Sequence, residues 1–401
     1  MIFTLAVFAA TYGVIAVGRV PGLRLDRAGA ALLGAALMVA GGALSLTAAY
    51  AAIDLNTIVL LLGMMILVAN LRLAGFFEAC TAFASRHARR PLLLLLAVVL
   101  VSGLLSAFLV NDTVCLMMAP LVAEITLAMK RRVEPYLIAL AMASNAGSVA
   151  TITGNPQNMV IASVSHLSYV SFAEALTPVA LISLAIVALV VVLLYRGEFA
   201  HGVRLDADLP RAEVKQAALA RSLAVTLGAI IFFFLGVPPA EVAIVAGSVL
   251  LLTTRLKPAQ LWSEIDWPLL VMFAGLFIVV RGLEVALFTP AHLAVLQQLD
   301  LAQPPKLAAV SAVLANLVSN VPSVLLLKSF IPGVADPRRA YLVLAMASTL
   351  AGNLTITGSV ANLIVVERAR QAGIQISFWR YLMVGIPVTF LTVAFGVWWL
   401  G

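Results

Sequence analysis

Asp112 is the residue with the clearest chemistry: a carboxylate in the middle of the apolar stretch 91–129, between Asn111 and Thr113. An acid at lipid depth is expensive and by default functional, as a proton acceptor or a cation ligand; the plainer reading is a hairpin cap. A second apolar stretch, 304–333, breaks at Ser319-Asn320-Val321-Pro322-Ser323. An asparagine thus stands at both breaks and an acid at one. Two further interruptions carry Ser144, Asn145, Thr151, Thr153, Gly154, Asn155 and Asn158 in one case, and Ser348, Asn353, Thr355, Thr357, Gly358 and Asn362 in the other. Amide and hydroxyl oxygens can hold cations, and their N–H and O–H groups can hold oxyanions. Serine and threonine alone are often packing residues in membrane helices. The doubled asparagines favour coordination, so all four breaks, from Asn111 to Asn362, form the expected substrate- and ion-binding set. A sodium ion is expected, if anywhere, near Asn111, Asp112 and Asn320.

The breaks come in copies. Leu140–Gly154 reads LAMASNAGSVATITG and Leu344–Gly358 reads LAMASTLAGNLTITG, offset by 204 residues, with Asn158 and Asn362 following each. Ile53-Asp54 with Gly63 returns as Ile265-Asp266 with Gly275, offset by 212. A repeated polar, glycine-containing segment in an apolar chain points to a transporter site between two structural repeats.

The elements that must position these residues follow from composition. The chain is 63% apolar and 11% charged, with mean hydropathy +1.09, far from the globular average. Apolar runs near the ~20 residues that cross a bilayer recur throughout. The predicted fold is an all-α polytopic membrane protein: two inverted repeats, each of five spans plus one re-entrant helical hairpin. Spans are expected near 1–18, 28–46, 55–71, 134–165 (broken), 172–195, 221–236, 239–254, 267–280, 340–364 (broken) and 380–399. The hairpins are 91–129 and 304–333, and the division is 1–200, a cytoplasmic linker 201–220, and 221–401. Residues 1–18 lack a basic leader and read as an uncleaved first span. The arms of the second hairpin, near 307–318 and 322–331, reach about 15–18 Å at 1.5 Å per residue, short of a ~30 Å core.

Charge sets the orientation. With the N-terminus outside, the predicted cytoplasmic segments hold 20 of the 25 Lys and Arg, among them Arg19, Arg24, Arg27, Arg72, Lys130–Arg132, Arg196 and Arg380. That bias follows the positive-inside rule, so the net charge of +7 reflects placement in a membrane and calls for no nucleic acid. Both termini are expected outside a cell inner (cytoplasmic) membrane. Phe76–Arg90 and Leu287–Leu299 read as interfacial amphipathic helices, and Lys328 and Glu124 as snorkelling side chains. Cys80 and Cys115 read as apolar filler. No nucleophile–base or metal-ligand spacing occurs; an enzyme is not expected, nor a cofactor beyond a coupling H+ or Na+.

Asn111-Asp112 with Pro120, Ser319–Leu325 and Gly352–Ser359 resemble the ion transporter superfamily, which holds citrate-transporter-like proteins, divalent anion:sodium symporters and arsenical pump membrane proteins. The tips are closest to the arsenical-pump-like branch. The resemblance runs from about Asp54 to the C-terminus and implies two inverted repeats, two re-entrant hairpins and elevator-type movement of the site. The expected function is cation-coupled secondary transport of a small anion or oxyanion. The alternatives are arsenite or metalloid efflux and Na+/H+ antiport without an organic substrate. The partners are that substrate and the lipid bilayer, and a homodimer is compatible with the plan.

Overall fold

The computed structural model describes residues 1–17, 25–87, 90–199, 214–253, 258–287 and 301–401. The interfacial helix expected at Leu287–Leu299, most of the linker 201–220, and Arg19, Arg24, Arg204 and Arg211 lie outside the described residues. What is described is helical, and seven helices are long and apolar enough to cross a membrane. The expected spans appear close to their sequence limits: Ile2–Val17, Arg27–Ala40, Leu55–Leu73, Tyr169–Leu194, Gln216–Phe234, Pro239–Thr253, Trp267–Leu287 and Phe378–Leu400.

Both interrupted spans are interrupted. Val133–Ser148 and Pro156–Ser165 flank a 3-10 turn at Ile152–Gly154, and Pro337–Ala351 and Val360–Gln371 flank another at Ile356–Gly358. In each, a proline or serine-led restart follows a glycine that cannot accept a side chain. A Cβ on Gly154 would overlap the Ser148 carbonyl, and one on Gly358 the Gly352 carbonyl. Ser148 and Gly352 are themselves 204 residues apart.

The stretches 91–129 and 304–333 form hairpins: Pro91–Phe108 with Asn111–Ala128, and Pro304–Val318 with Asn320–Leu327 followed by a 3-10 segment Lys328–Gly333. Each turns on one residue with positive φ, Val110 at 55° and Ser319 at 76°, a region that non-glycine residues rarely enter. The arms of the first hairpin, 18 residues each, meet the length of full spans, which the sequence alone left open. Their tip nevertheless ends beside Ser144 and Asn145, while the neighbouring chain runs on through the break and a further helix.

Repeat-related helices pack in repeat-related ways. Gly63 lies against the backbone of Ala243, and Gly275 against that of Ala31. The offset is 212 in both members, so one contact occurs twice. Tyr169–Leu194 and Phe378–Leu400 carry Pro178 and Pro387 at matching places, an echo absent from the sequence reading. They run antiparallel: Trp399 Nε1 donates to Ala175 O near the start of the former. At their other ends Arg380 donates to Glu134, which also accepts from Tyr195. Other arginines assigned by charge to the same side are also paired: Arg131 with buried Glu198 at 2.7 Å, and Arg72 with Glu264.

Candidate substrate and coupling-ion site

The centre of the molecule is a polar lattice in an apolar core. Asn145, fully buried, uses both ends of its amide. Its Nδ2 donates to Asn353 Oδ1 (2.9 Å) and Asn362 Oδ1 (3.0 Å), and its Oδ1 accepts from Asn111 Nδ2 (2.9 Å) and Ser359 Oγ (3.1 Å). One residue thus joins the first tip to the second break. The mirror contact exists: Thr349, 204 residues on, accepts from Asn155 Nδ2 at 3.3 Å and Gln157 Nε2 at 3.0 Å. Ser359 is likewise the repeat mate of Asn155.

Several expected ligands brace the breaks instead of facing a cavity. Asn158 Nδ2 donates to the Ser148 and Thr151 carbonyls, and Asn362 Nδ2 to the Gly352 and Thr355 carbonyls. These are the freed carbonyls of the unwound turns, satisfied as buried groups must be. Thr151 donates to Ala107 O, and Thr153 bonds Tyr169 OH at 2.8 Å. Asn155 Oδ1 caps the restarting helix at Asn158 N. Ser144 donates to Asn111 O and pairs with Ser106, fixing the first tip. With its amide oriented to satisfy its surroundings, Asn320 donates to Ser348 O and Gly358 O, 2.9 Å each. Ser323 bonds Asn320 O, Thr355 bonds Asn316, and Thr357 is exposed. Thr113 carries its turn through its backbone N–H to Val110 O.

A cavity of about 30 Å³ opens beside this lattice, between the two tips. Its polar lining is Asn111, Asp112, Ser319 and Asn320 from the tips, Gln157 and Ser359 from the two restarting helices, and Arg27. Pro322 and Val321 lie there too, so the acid and its apolar repeat counterpart line the same space. Tyr12 OH holds the second tip by donating to Pro322 O at 3.1 Å. The Asp112 carboxylate lies near the Ala361 backbone N–H, in the first turn of Val360–Gln371, where a helix N-terminus favours negative charge. Asn111 Oδ1 and Asn158 Oδ1 are buried and have no hydrogen-bond partner among the described residues.

The tip asparagines, Asp112, Ser319 and Pro322 were legible from sequence; Arg27, Gln157 and Ser359 were not singled out. Arg27 read as a loop charge of the cytoplasmic side. Gln157 and Ser359 carried a signal, since Gln157 lies in the first turn after the capping Asn155 and Ser359 is the repeat mate of that cap. Among the described residues no group of three or more His, Cys, Asp or Glu is placed to hold a metal.

The chain has relatives over its whole length. Residues 6–340 match a family described as "Citrate transporter". It is 30% identical over 418 residues to a 46 kDa membrane protein of Mycobacterium leprae, spanning 98% of this chain and 96% of that one. It is 29% identical to the silicon efflux transporter LSI3 of Oryza sativa subsp. japonica, over 94% of this chain and 93% of the relative. The crystal structure of the Alcanivorax borkumensis YdaH transporter superposes with a TM-score of 0.59 at 14% identity, covering 99% of this chain and 96% of that one. That last likeness is one of fold.

Proposed function

The chain belongs to the citrate transporter family and is a multi-pass membrane transporter; from that premise we propose that it is a cation-coupled secondary transporter of a small oxyanion or its neutral hydroxide. Transport proceeds by alternating access of the elevator type, with Asp112 as the site of the coupling H+ or Na+. The halves 1–200 and 221–401, joined by a linker at 201–220, form the two inverted repeats. Both termini lie outside the inner membrane, and the protein performs no covalent chemistry.

One observation carries this reading: Asp112 shares a cavity between the two hairpin tips with a single guanidinium, Arg27. A citrate-like polyanion needs a surplus of positive charge, and here one carboxylate opposes one cation. The cavity volume is also only about twice the 10–15 Å³ that admits one water. Those two facts favour a compact solute of low charge. The rice relative is named a silicon efflux transporter, which supports the hydroxide form and, with it, metalloid efflux as the nearest alternative.

Na+/H+ antiport without another substrate is favoured by a different observation, the buried Asn111 Oδ1 without a partner beside Asp112. Sealed liposomes separate the readings. The wild-type chain should accumulate arsenite, silicic acid or phosphate only under an imposed proton or sodium gradient, and Asp112→Asn should abolish the gradient dependence while inserting normally. Sodium-driven proton flux with none of these solutes present would support antiport. Unchanged gradient-driven uptake by Asp112→Asn would remove Asp112 from the coupling role.

A further inference from the structure

Arg27 is an anomaly by ordinary rules of helix electrostatics. It is the first residue of Arg27–Ala40, where the helix N-terminus disfavours a cation. The adjacent Asp26 is turned to the helix cap, its Oδ1 accepting from Gly29 N at 2.8 Å, and it makes no ion pair with Arg27. Arg27 makes no hydrogen bond and no ion pair with any described residue, yet it is half-buried and lines the cavity. The charged groups that face Asp112 are Arg27 and Asp266. Asp266 is engaged at its own helix start, accepting from Leu269 N at 3.0 Å. Among the described residues, Arg27 is therefore the one cation whose charge acts on Asp112, and the two line the same cavity of about 30 Å³.

The two charges also belong to different packing units. The helix of Arg27 packs through Ala31 against Gly275 of Trp267–Leu287, whereas the hairpin of Asp112 is bonded to the broken helices at Ser144 and Asn145. Any motion of the hairpin and broken helices past the other helices changes the distance between Asp112 and Arg27.

We propose that Arg27 is a tethered competitor for the coupling cation: with the cavity in the position seen here, its guanidinium shares the cavity with Asp112 without pairing to it, weakens the hold of that carboxylate on H+ or Na+, and lets the bound cation leave to the side from which Arg27 enters. Arg27 acts on transport through Asp112 and is in that sense a positioning residue. The inference rests on the coupling role proposed for Asp112 and adds to it the step at which the cation is released. It also gives the asymmetry between the tips a purpose, since a carboxylate at both tips would need two such competitors.

Cation-dependent thermal stability of the purified full-length chain tests this without knowing the transported solute, using sodium chloride at constant ionic strength and, separately, a pH series. A ligand that binds the folded state raises its apparent stability. Wild type should be stabilised by one of the two cations, and Asp112→Asn should lose that response. Arg27→Gln should keep the response but reach half-saturation at about one-tenth of the cation concentration, as expected when an opposing charge beside a carboxylate is removed. Arg27→Ala should do the same, and Arg27→Lys should return the wild-type value, a rescue that a packing role would not give. An Asp112→Asn protein that responds like wild type overturns the coupling reading and this inference together. Loss of the response in Asp112→Asn with an unchanged half-saturation in Arg27→Gln and Arg27→Ala overturns the role of Arg27 alone.

Discussion

At the scale of residues, the lattice is held by buried amides, and Asn145, which uses both ends of its own, is its hub. Replacing it by leucine of similar size strands Asn111, Ser359, Asn353 and Asn362 at once. A stranded buried polar group costs about 1–3 kcal/mol, so Asn145→Leu should lower the unfolding temperature far more than Thr357→Val at the exposed end of the second break. Comparable melting curves for the two variants in detergent would show that the lattice does not stabilise the fold. The sequence announced this region because asparagine, glycine and proline are rare inside apolar runs and here occurred twice. It did not separate the residues that face the cavity from those that brace the backbone. Asn158 and Asn362 look like ligands in sequence, but the nearest unsatisfied groups are the carbonyls that their own helix breaks release. Arg27 stayed hidden for the opposite reason: an arginine beside a run of loop charges is indistinguishable, in sequence, from one that turns inward.

At the scale of elements, close helix approach is written in glycines that recur with the repeat. Gly63 and Gly275 occupy equivalent crossings against Ala243 and Ala31, and a methyl group there would meet backbone that cannot yield. Overpacking of this kind costs typically about 1–3 kcal/mol. Gly63→Ala and Gly275→Ala should each destabilise the protein by similar amounts, while Gly228→Ala, which meets nothing within 4 Å, should be neutral or mildly stabilising through helix propensity. Equal melting temperatures for all three would contradict the duplicated crossing. The element limits were readable from apolar length and its interruptions, to within a few residues at most ends. The first hairpin was the ambiguous case, because its 18-residue arms match full spans in length and composition. Its tip meets the neighbouring broken helix at Ser144 and Asn145, a contact that a returning hairpin would make.

At the scale of the whole molecule, the proposed alternating access requires inversion: two copies of one plan facing opposite sides. Ser168 and Ser377 are repeat mates at exposed helix starts, each capping the amide three residues on. With Cys80 and Cys115 replaced, Ser168→Cys should react with an impermeant thiol reagent from outside the cell, and Ser377→Cys only after the membrane is opened. Labelling of both from the same side would end the inverted plan. Inversion then brings the two unlike tips to one cavity, and Asp112 stands there without a copy. The most direct measurement of its role is infrared difference spectroscopy of the purified protein on changing protons or sodium. The account predicts a carboxyl band that responds to the coupling cation in the wild-type chain and is missing from Asp112→Asn. The same band in both proteins would contradict it.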